Sequence, residues 1–222
     1  MKKTELSVYE FLRNKIINLE FFPGEELDIN KITSELGISR SPVRDALLRL
    51  ELDKLVEIFP QRGTRVSKLD RKIIHQERFM RTTLELGVVA LLREKIAFEN
   101  VRSVFATKLQ GIFLQQKASL LDNDKKKFLK FDDDFHFLFY EETGNQWLWD
   151  LISSHTGNDH RIRILSYNAQ KIADTVEKEH KNLIDAFFRG NIDEALEIDR
   201  KHLERVFSEF EPLEKIYPEY FV

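Results

Sequence analysis

The chain has 222 residues, 42% of them apolar, and contains no cysteine. That is enough apolar material for one large core or two modest ones, and it excludes a disulfide-stapled miniprotein, thiol catalysis and cysteine-ligated zinc. Lys plus Arg number 35 against 38 Asp plus Glu, a net charge of −3, so the chain as a whole is no polybasic coat for nucleic acid, although a local patch can still bind it.

No apolar run of secretory length opens the sequence, and charged or polar residues interrupt every later apolar stretch, which reads as a cytoplasmic protein without a membrane partner. Prolines stand at 23, 42, 60, 212 and 218, and between 61 and 211 apolar side chains recur at helical spacing. The expected fold is mainly α: a winged helix-turn-helix over residues 1–69, followed over 70–222 by an antiparallel all-helical bundle of about six helices. The first 69 residues carry 12 basic and 11 acidic side chains, leaving 23 and 27 for the remainder.

Tyr9, Leu12, Ile16 and Leu19 mark the buried stripe of a first helix, closed by Phe22-Pro23-Gly24. A second helix points Ile29, Ile32 and Leu36 inward, and Gly37 permits a sharp change of direction. Ser39 can cap a third helix, with Pro42 in its first turn and Val43, Ala46, Leu47 and Leu50 on its buried face. Then VEIF, PQRG and TRVS read as a short hairpin with Pro60 and Gly63 in its turn. With the apolar side committed to the core, Ser39, Arg40, Ser41 and Arg44 lie at the exposed N-terminal end of the third helix, where guanidinium groups can reach a guanine edge or a phosphate. Arg49 is a candidate for the phosphate backbone. The hairpin tip adds Arg62, Gly63 and Arg65 on the same side. A single surface arginine is usually solvated, but this many cations on one predicted face point to nucleic acid.

The stretch PGEELDINKITSELGISRSPVRDALLRLELDKLVEIFPQRGTRV closely resembles the winged helix-turn-helix of GntR-type bacterial transcription regulators. The resemblance implies binding to palindromic operator DNA as a homodimer, usually as a repressor. It also implies that Arg40 and Arg44 read or clamp the operator, that Arg49 touches DNA, and that Gly63 forms the wing tip. One departure is Leu52-Asp53-Lys54, where the family usually has a glycine before the leucine matching Leu55.

Six helices are expected in the second part, at about 70–97, 100–121, 124–142, 145–168, 170–190 and 192–211. Asp132 and His136, four apart in FDDDFHFLFY, share a helical face and can grip one ion. The stripe Val176, His180, Leu183, Phe187 turns His180 inward, and Ile198, His202, Val206, Phe210 does the same for His202. Taken singly, each reads as a satisfied core histidine. Together, three buried imidazoles and a carboxylate would carry several desolvation penalties that one divalent ion removes. The donor set suits a divalent transition metal: zinc or nickel first, then manganese, iron or cobalt. His155 and His160, in SSHTGNDHR, read as solvated, and His75 has no evident partner.

This half is similar to the all-helical effector-binding (FCD) domain of the FadR-like branch of the same family, through RTTLE at 81–85, DDDFH at 132–136, EHKNLIDAFFRGNID at 179–193 and KHLERV at 201–206. The resemblance implies that Asp132, His136, His180 and His202 are metal ligands. Arg81 is implied to face the pocket, with Arg161 or Arg163 assisting, and the effector to be a small carboxylate. Six helices and not seven would favour the branch with the shorter effector domain. Two rivals stay open: the same regulator with a purely structural metal, and a metal-dependent hydrolytic enzyme with Glu179 or Asp133 as general acid or base.

Overall fold

A computed structural model describes residues 3–170 and 172–222, with the side chains of 3–6, 169 and 170 left aside. The chain forms two compact units. The first comprises residues 1–77, 155–165 and 210–222, and the second 78–154 and 166–209. Packing thus joins two later segments to the N-terminal one.

In the first unit α1 (Lys3–Ile17), α2 (Ile29–Leu36) and α3 (Arg40–Leu52) enclose a core that includes Leu12, Ile16, Ile32, Val43, Leu47 and Leu50, with Leu55 and Val66 from the adjoining hairpin. α1 ends two residues before Leu19, which turns into the left-handed region (φ 56°). α2 is fixed at both ends. Asp28 accepts from the amides of Asn30 (2.8 Å) and Lys31 (3.2 Å), and Gly37 closes the helix at φ 63°. Ser39 does occupy the N-cap position of α3, yet its hydroxyl makes no capping hydrogen bond. Lys54, at the position where the family usually has glycine, sits at φ 59°, so the turn into the hairpin keeps its left-handed geometry with a residue less suited to it.

The hairpin pairs β2 (Val56–Phe59) with β3 (Gly63–Val66), placing Val56 opposite Val66 and Phe59 opposite Gly63. A strand absent from the sequence reading, β1 (Glu26–Leu27), pairs with the far edge of β3, so the wing is a three-stranded antiparallel sheet in the order β1-β3-β2.

The C-terminal tail returns to this unit. Leu69 and Phe221 form a parallel bridge, and the Leu69 amide donates to the Tyr220 carbonyl (2.8 Å). His75 stacks on Phe210, ring centroids 5.5 Å apart, which supplies the partner that the sequence did not reveal.

Arg161 is fully buried here, donating to the Ser67 carbonyl (2.7 Å) and to Asn158. Asn158 donates in turn to Glu77 (2.7 Å), which also accepts from the Asp159 amide (2.8 Å). Both terminal nitrogens of Arg161 are therefore engaged in this structural network.

The second unit is built from α4 (Arg71–Lys95, from Arg78 onward), α5 (Glu99–Leu121), α6 (Lys125–Thr143), α7 (Gln146–His155), the later part of α8 (Gly157–Gln170), α9 (Ala173–Arg189) and α10 (Ile192–Glu204). Phe105, Phe135, Phe139 and Phe187 interlock at the centre of its core, with Phe105 edge-on to Phe187 at 5.1 Å. Gly144 and Gly190 end α6 and α9 at φ 76° and 71°.

Two expected helices are subdivided. The one at 145–168 breaks at Thr156 into α7 and α8. The last ends at Glu204, continues as a 3-10 turn over Arg205–Ser208, and is followed by α11 (Phe210–Ile216) in the first unit. The described bundle region therefore runs from α4 to α11, more elements than the expected six, and helix count no longer favours a branch.

Burial pushes the Glu77 carboxyl up to about 7, against the lowering effect of its hydrogen bonds and of Arg161. The unfolded chain releases this proton near its ordinary value, below the folded group, so Glu77 lowers stability progressively as pH rises through that window. Glu77→Gln removes the titration. In thermal melts the variant is expected to gain on the wild type between about pH 5 and about pH 8, and a constant gap would refute the assignment.

Candidate metal centre and nucleic-acid interface

Asp132 and His136 project from one face of α6, His180 from α9 and His202 from α10. One donor atom from each lies within 4.8 Å of all the others, and all four residues are buried. Helical phase explains the inward aim of His180, since Val176, Leu183 and Phe187 on its stripe are all buried. For His202 the phase differs from the expected stripe. The buried face of α10 is Ile192, Ala195, Asp199, His202 and Leu203, while Val206 and Phe210 fall beyond the end of the helix.

Each imidazole is oriented through Nδ1. His136 Nδ1 bonds Glu85 of α4, His180 Nδ1 donates to Gln116 Oε1 of α5 (2.8 Å), and His202 Nδ1 donates to Glu179 Oε2 of α9 (2.7 Å). The partners are acceptors, so they place the ring proton on Nδ1 and leave a lone pair on Nε2. The Nε2 atoms then meet: those of His136 and His202 are 3.1 Å apart, and that of His180 is 3.5 Å from Asp132 Oδ1 and has no hydrogen bond. With both ring protons on Nδ1 the facing Nε2 lone pairs are free to ligate, and three nitrogens and a carboxylate oxygen are borderline donors compatible with a divalent transition ion.

Gln116 serves twice, because its amide also donates to Asp132 (3.1 Å). Phe135 lies flat on the His180 ring, centroids 4.1 Å apart. Burial lowers His180 well below the ordinary imidazole range and holds His202 down to about 4, which keeps both rings in the neutral form that ligation requires.

Around this set stand residues that the sequence reading left out or cast differently. Arg81 is buried on α4 and pairs with Glu85 (3.3 Å), so it reaches the cluster through the carboxylate that holds His136. Glu179 is an orienting partner of His202, also paired with Arg205 (3.2 Å), not a proton-transfer group poised over a substrate. Arg205 continues to Glu209, and Glu209 accepts from the Ser166 hydroxyl. Asp199, three residues before His202 on the same buried face, could have been found from that spacing. Gln116 gives no comparable signal, since nothing in its neighbourhood distinguishes it from the other glutamines of α5. His155 is exposed and His160 partly so, and neither belongs to the described donor groups.

In the first unit Ser39, Arg40, Ser41 and Arg44 are exposed at the start of α3. Arg40 donates to Asn30 Oδ1 of α2 (2.6 Å). Arg49 is half-buried against α1, its guanidinium 4.2 Å from the centre of the Tyr9 ring, while the Tyr9 hydroxyl donates to Asp53 (2.7 Å). In the wing, Arg62 is exposed in the connecting loop, Gly63 opens β3 at φ 107°, and Arg65 pairs across the sheet with Glu26 (2.8 Å).

Comparison with known proteins assigns both parts of the chain to a family. The pattern of "Bacterial regulatory proteins, gntR family" matches residues 4–66, and the FCD domain pattern matches residues 78–205. A regulator encoded in an unstable DNA locus of Streptomyces ambofaciens is 28% identical over 96% of this chain and 88% of its own length. The HTH-type transcriptional repressor RspR of Escherichia coli is 24% identical over 90% of this chain and 85% of its own. A GntR transcriptional regulator from Rhodococcus sp. RHA1 shares the fold, with a TM-score of 0.77 at 20% identity over 95% of this chain and 99% of that one. No described helix is long and apolar enough to cross a membrane. The chain belongs to the GntR family of bacterial regulatory proteins with an FCD domain, and so among DNA-binding transcription regulators and not among enzymes.

Proposed function

We propose that this protein is a cytoplasmic homodimeric repressor of the FadR-like branch, whose affinity for a palindromic operator is set by a small organic acid bound at a divalent metal. The observation that carries this reading is the meeting of three Nε2 lone pairs and the Asp132 carboxylate, each imidazole locked in the tautomer a metal needs. When bound, zinc or nickel, or less favourably manganese, iron or cobalt, supplies a Lewis-acidic position for a ligand carboxylate. Residues 1–69 act as the DNA-binding domain and residues 70–222 as the effector domain. Repression is supported by RspR, a relative named as a repressor.

In this reading Ser39, Arg40, Ser41 and Arg44 enter the major groove, Arg49 holds the phosphate backbone, and Arg62, Gly63 and Arg65 carry the wing toward the flanking groove. Arg40 and Arg65 exchange their bonds to Asn30 and Glu26 for DNA. Two copies are needed because one small head makes too few contacts for tight specific binding. The effector acts by favouring one of two populations, as any ligand with unequal affinity for them must. Arg81, tied through Glu85 to His136, brings α4 under the influence of whatever the cluster holds.

Arg44→Ala is expected to weaken specific operator binding by about 1–3 kcal/mol, read by titration at fixed salt, with the fold unchanged by circular dichroism. Wild-type affinity would remove Arg44 from the interface. For the metal, elemental analysis of purified protein is expected to show near-stoichiometric divalent ion, lost in a His180→Ala, His202→Ala double variant. Equal metal content in the two would end the assignment. If chelation lowers the melting temperature while no acid responds to the metal, the ion braces the bundle and does not sense.

A further inference from the structure

On α1, Val8, Leu12 and Ile16 recur every four residues and are sealed in the core of the head, whereas Tyr9 lies beside that stripe, half-buried at the edge of the core. The Arg49 guanidinium carbon stands over its ring, 4.2 Å from the ring centre, and its hydroxyl donates to Asp53 Oδ2 (2.7 Å). Asp53 is the residue that closes α3, its amide donating to the Arg49 carbonyl (3.0 Å). A side chain of α1 is thus tied, through its ring face and through its hydroxyl, to the end of α3 that carries Arg49. Burial and the Asp53 carboxylate push the Tyr9 phenol up to about 12, so it stays a neutral donor near neutral pH.

Arg49 stands near the far end of α3 from Arg40, about 14 Å away along the helix axis, too far to share a base edge with it and placed for a different stretch of backbone. The way it is held also differs. Arg40 and Arg65 spend N–H donors on Asn30 and Glu26. A contact between an aromatic ring and a guanidinium uses none of the five N–H donors, so the Tyr9 contact is compatible with donation from Arg49 to a phosphate oxygen. An arginine loses rotamer freedom when it binds, and a ring that already confines it in the free protein removes part of that loss.

We infer that Tyr9 is a positioning residue for operator binding: its ring, pinned by Asp53, holds the Arg49 guanidinium in place for a phosphate of the DNA backbone. This rests on the reading of Arg49 as a backbone contact and adds the residue that strengthens that contact. Tyr9 acts through Arg49, so its contribution to DNA affinity exists only while Arg49 is present.

The test is a double-variant cycle on the full chain. The probe is a duplex that the wild type selects from a random-sequence pool, titrated by fluorescence anisotropy over a series of salt concentrations with the wild type, Tyr9→Leu, Arg49→Ala and the two changes combined. Arg49→Ala is expected to weaken binding and to reduce the salt slope by about one for each head on the DNA. Tyr9→Leu is expected to weaken binding about three- to tenfold beside Arg49, and to have no effect in the Arg49→Ala background. Tyr9→Phe, which keeps the ring and loses the bond to Asp53, is expected to fall between the wild type and Tyr9→Leu. An equal loss in the two backgrounds makes Tyr9 a structural residue of the head and overturns the inference. Unchanged or tighter binding by Tyr9→Leu overturns it as well, since the ring then contributes nothing or competes with the phosphate. An unchanged salt slope in Arg49→Ala removes the backbone contact itself and the inference with it, whereas a reduced slope with additive variants leaves that contact standing and removes only the role of Tyr9. Should circular dichroism show Tyr9→Leu unfolded, the same cycle run with Tyr9→Phe decides the matter.

Discussion

The second unit is organised around a geometric constraint on three imidazole rings. Each is held at Nδ1 by an acceptor from another helix, buried for Glu85 and Gln116 and half-buried for Glu179, so α4 fixes a ring of α6, α5 fixes a ring of α9, and α9 fixes a ring of α10. The consequence is that Nε2 lone pairs are presented to one another in a water-poor interior, where unmatched polar atoms cost on the order of 1–3 kcal/mol each. The phenylalanine core around Phe135, Phe139 and Phe187 makes that placement rigid, and Phe135 limits the rotation of His180 directly. Such a group of donors gathered in an apolar bundle is compatible with a bound metal ion.

From the same rings a chain of charged partners leads outward: His202 to Glu179, Glu179 to Arg205, Arg205 to Glu209, and Glu209 to Ser166. Ser166 and Glu209 are the residues at which the second unit's sequence gives way to segments of the first. Networks of this kind respond as a whole, since removing or repositioning one member leaves its neighbours buried and unsatisfied. The donor cluster is thus bonded in series to residues at the ends of the unit's later segment.

The nucleic-acid face follows a different economy. Its cations are exposed, and two of them rest on acceptors within the head itself, Arg40 on Asn30 and Arg65 on Glu26. Such exposed pairs are worth little and are exchanged easily for phosphate or base contacts. Arg49 is held differently, against the Tyr9 ring that Asp53 orients, which fixes the direction of its side chain. Lys54 in a left-handed turn and the two-residue strand β1 complete the wing, while Leu55, Val56 and Val66 tie it into the core of the head.

Much of this was legible without coordinates. Apolar spacing settles the helices of the head, Gly37 and the α3 arginines identify the helix-turn-helix, and the stripe through His180 gives its inward direction, because these depend on residues a few positions apart. Sequence alone therefore determined the mainly helical fold, the winged head and the four converging donors. It did not determine where long helices break, as at Thr156 and Glu204, because tertiary packing overrides a continuous helical pattern there. Nor did it determine that Arg161 is locked to Ser67 and Asn158, that Gln116 binds both His180 and Asp132, or that Asp199 faces Glu85 without a donor. Those are pairings between residues remote in the chain, or pairings left unmade, and only the packing of helices against one another decides which buried polar group meets which.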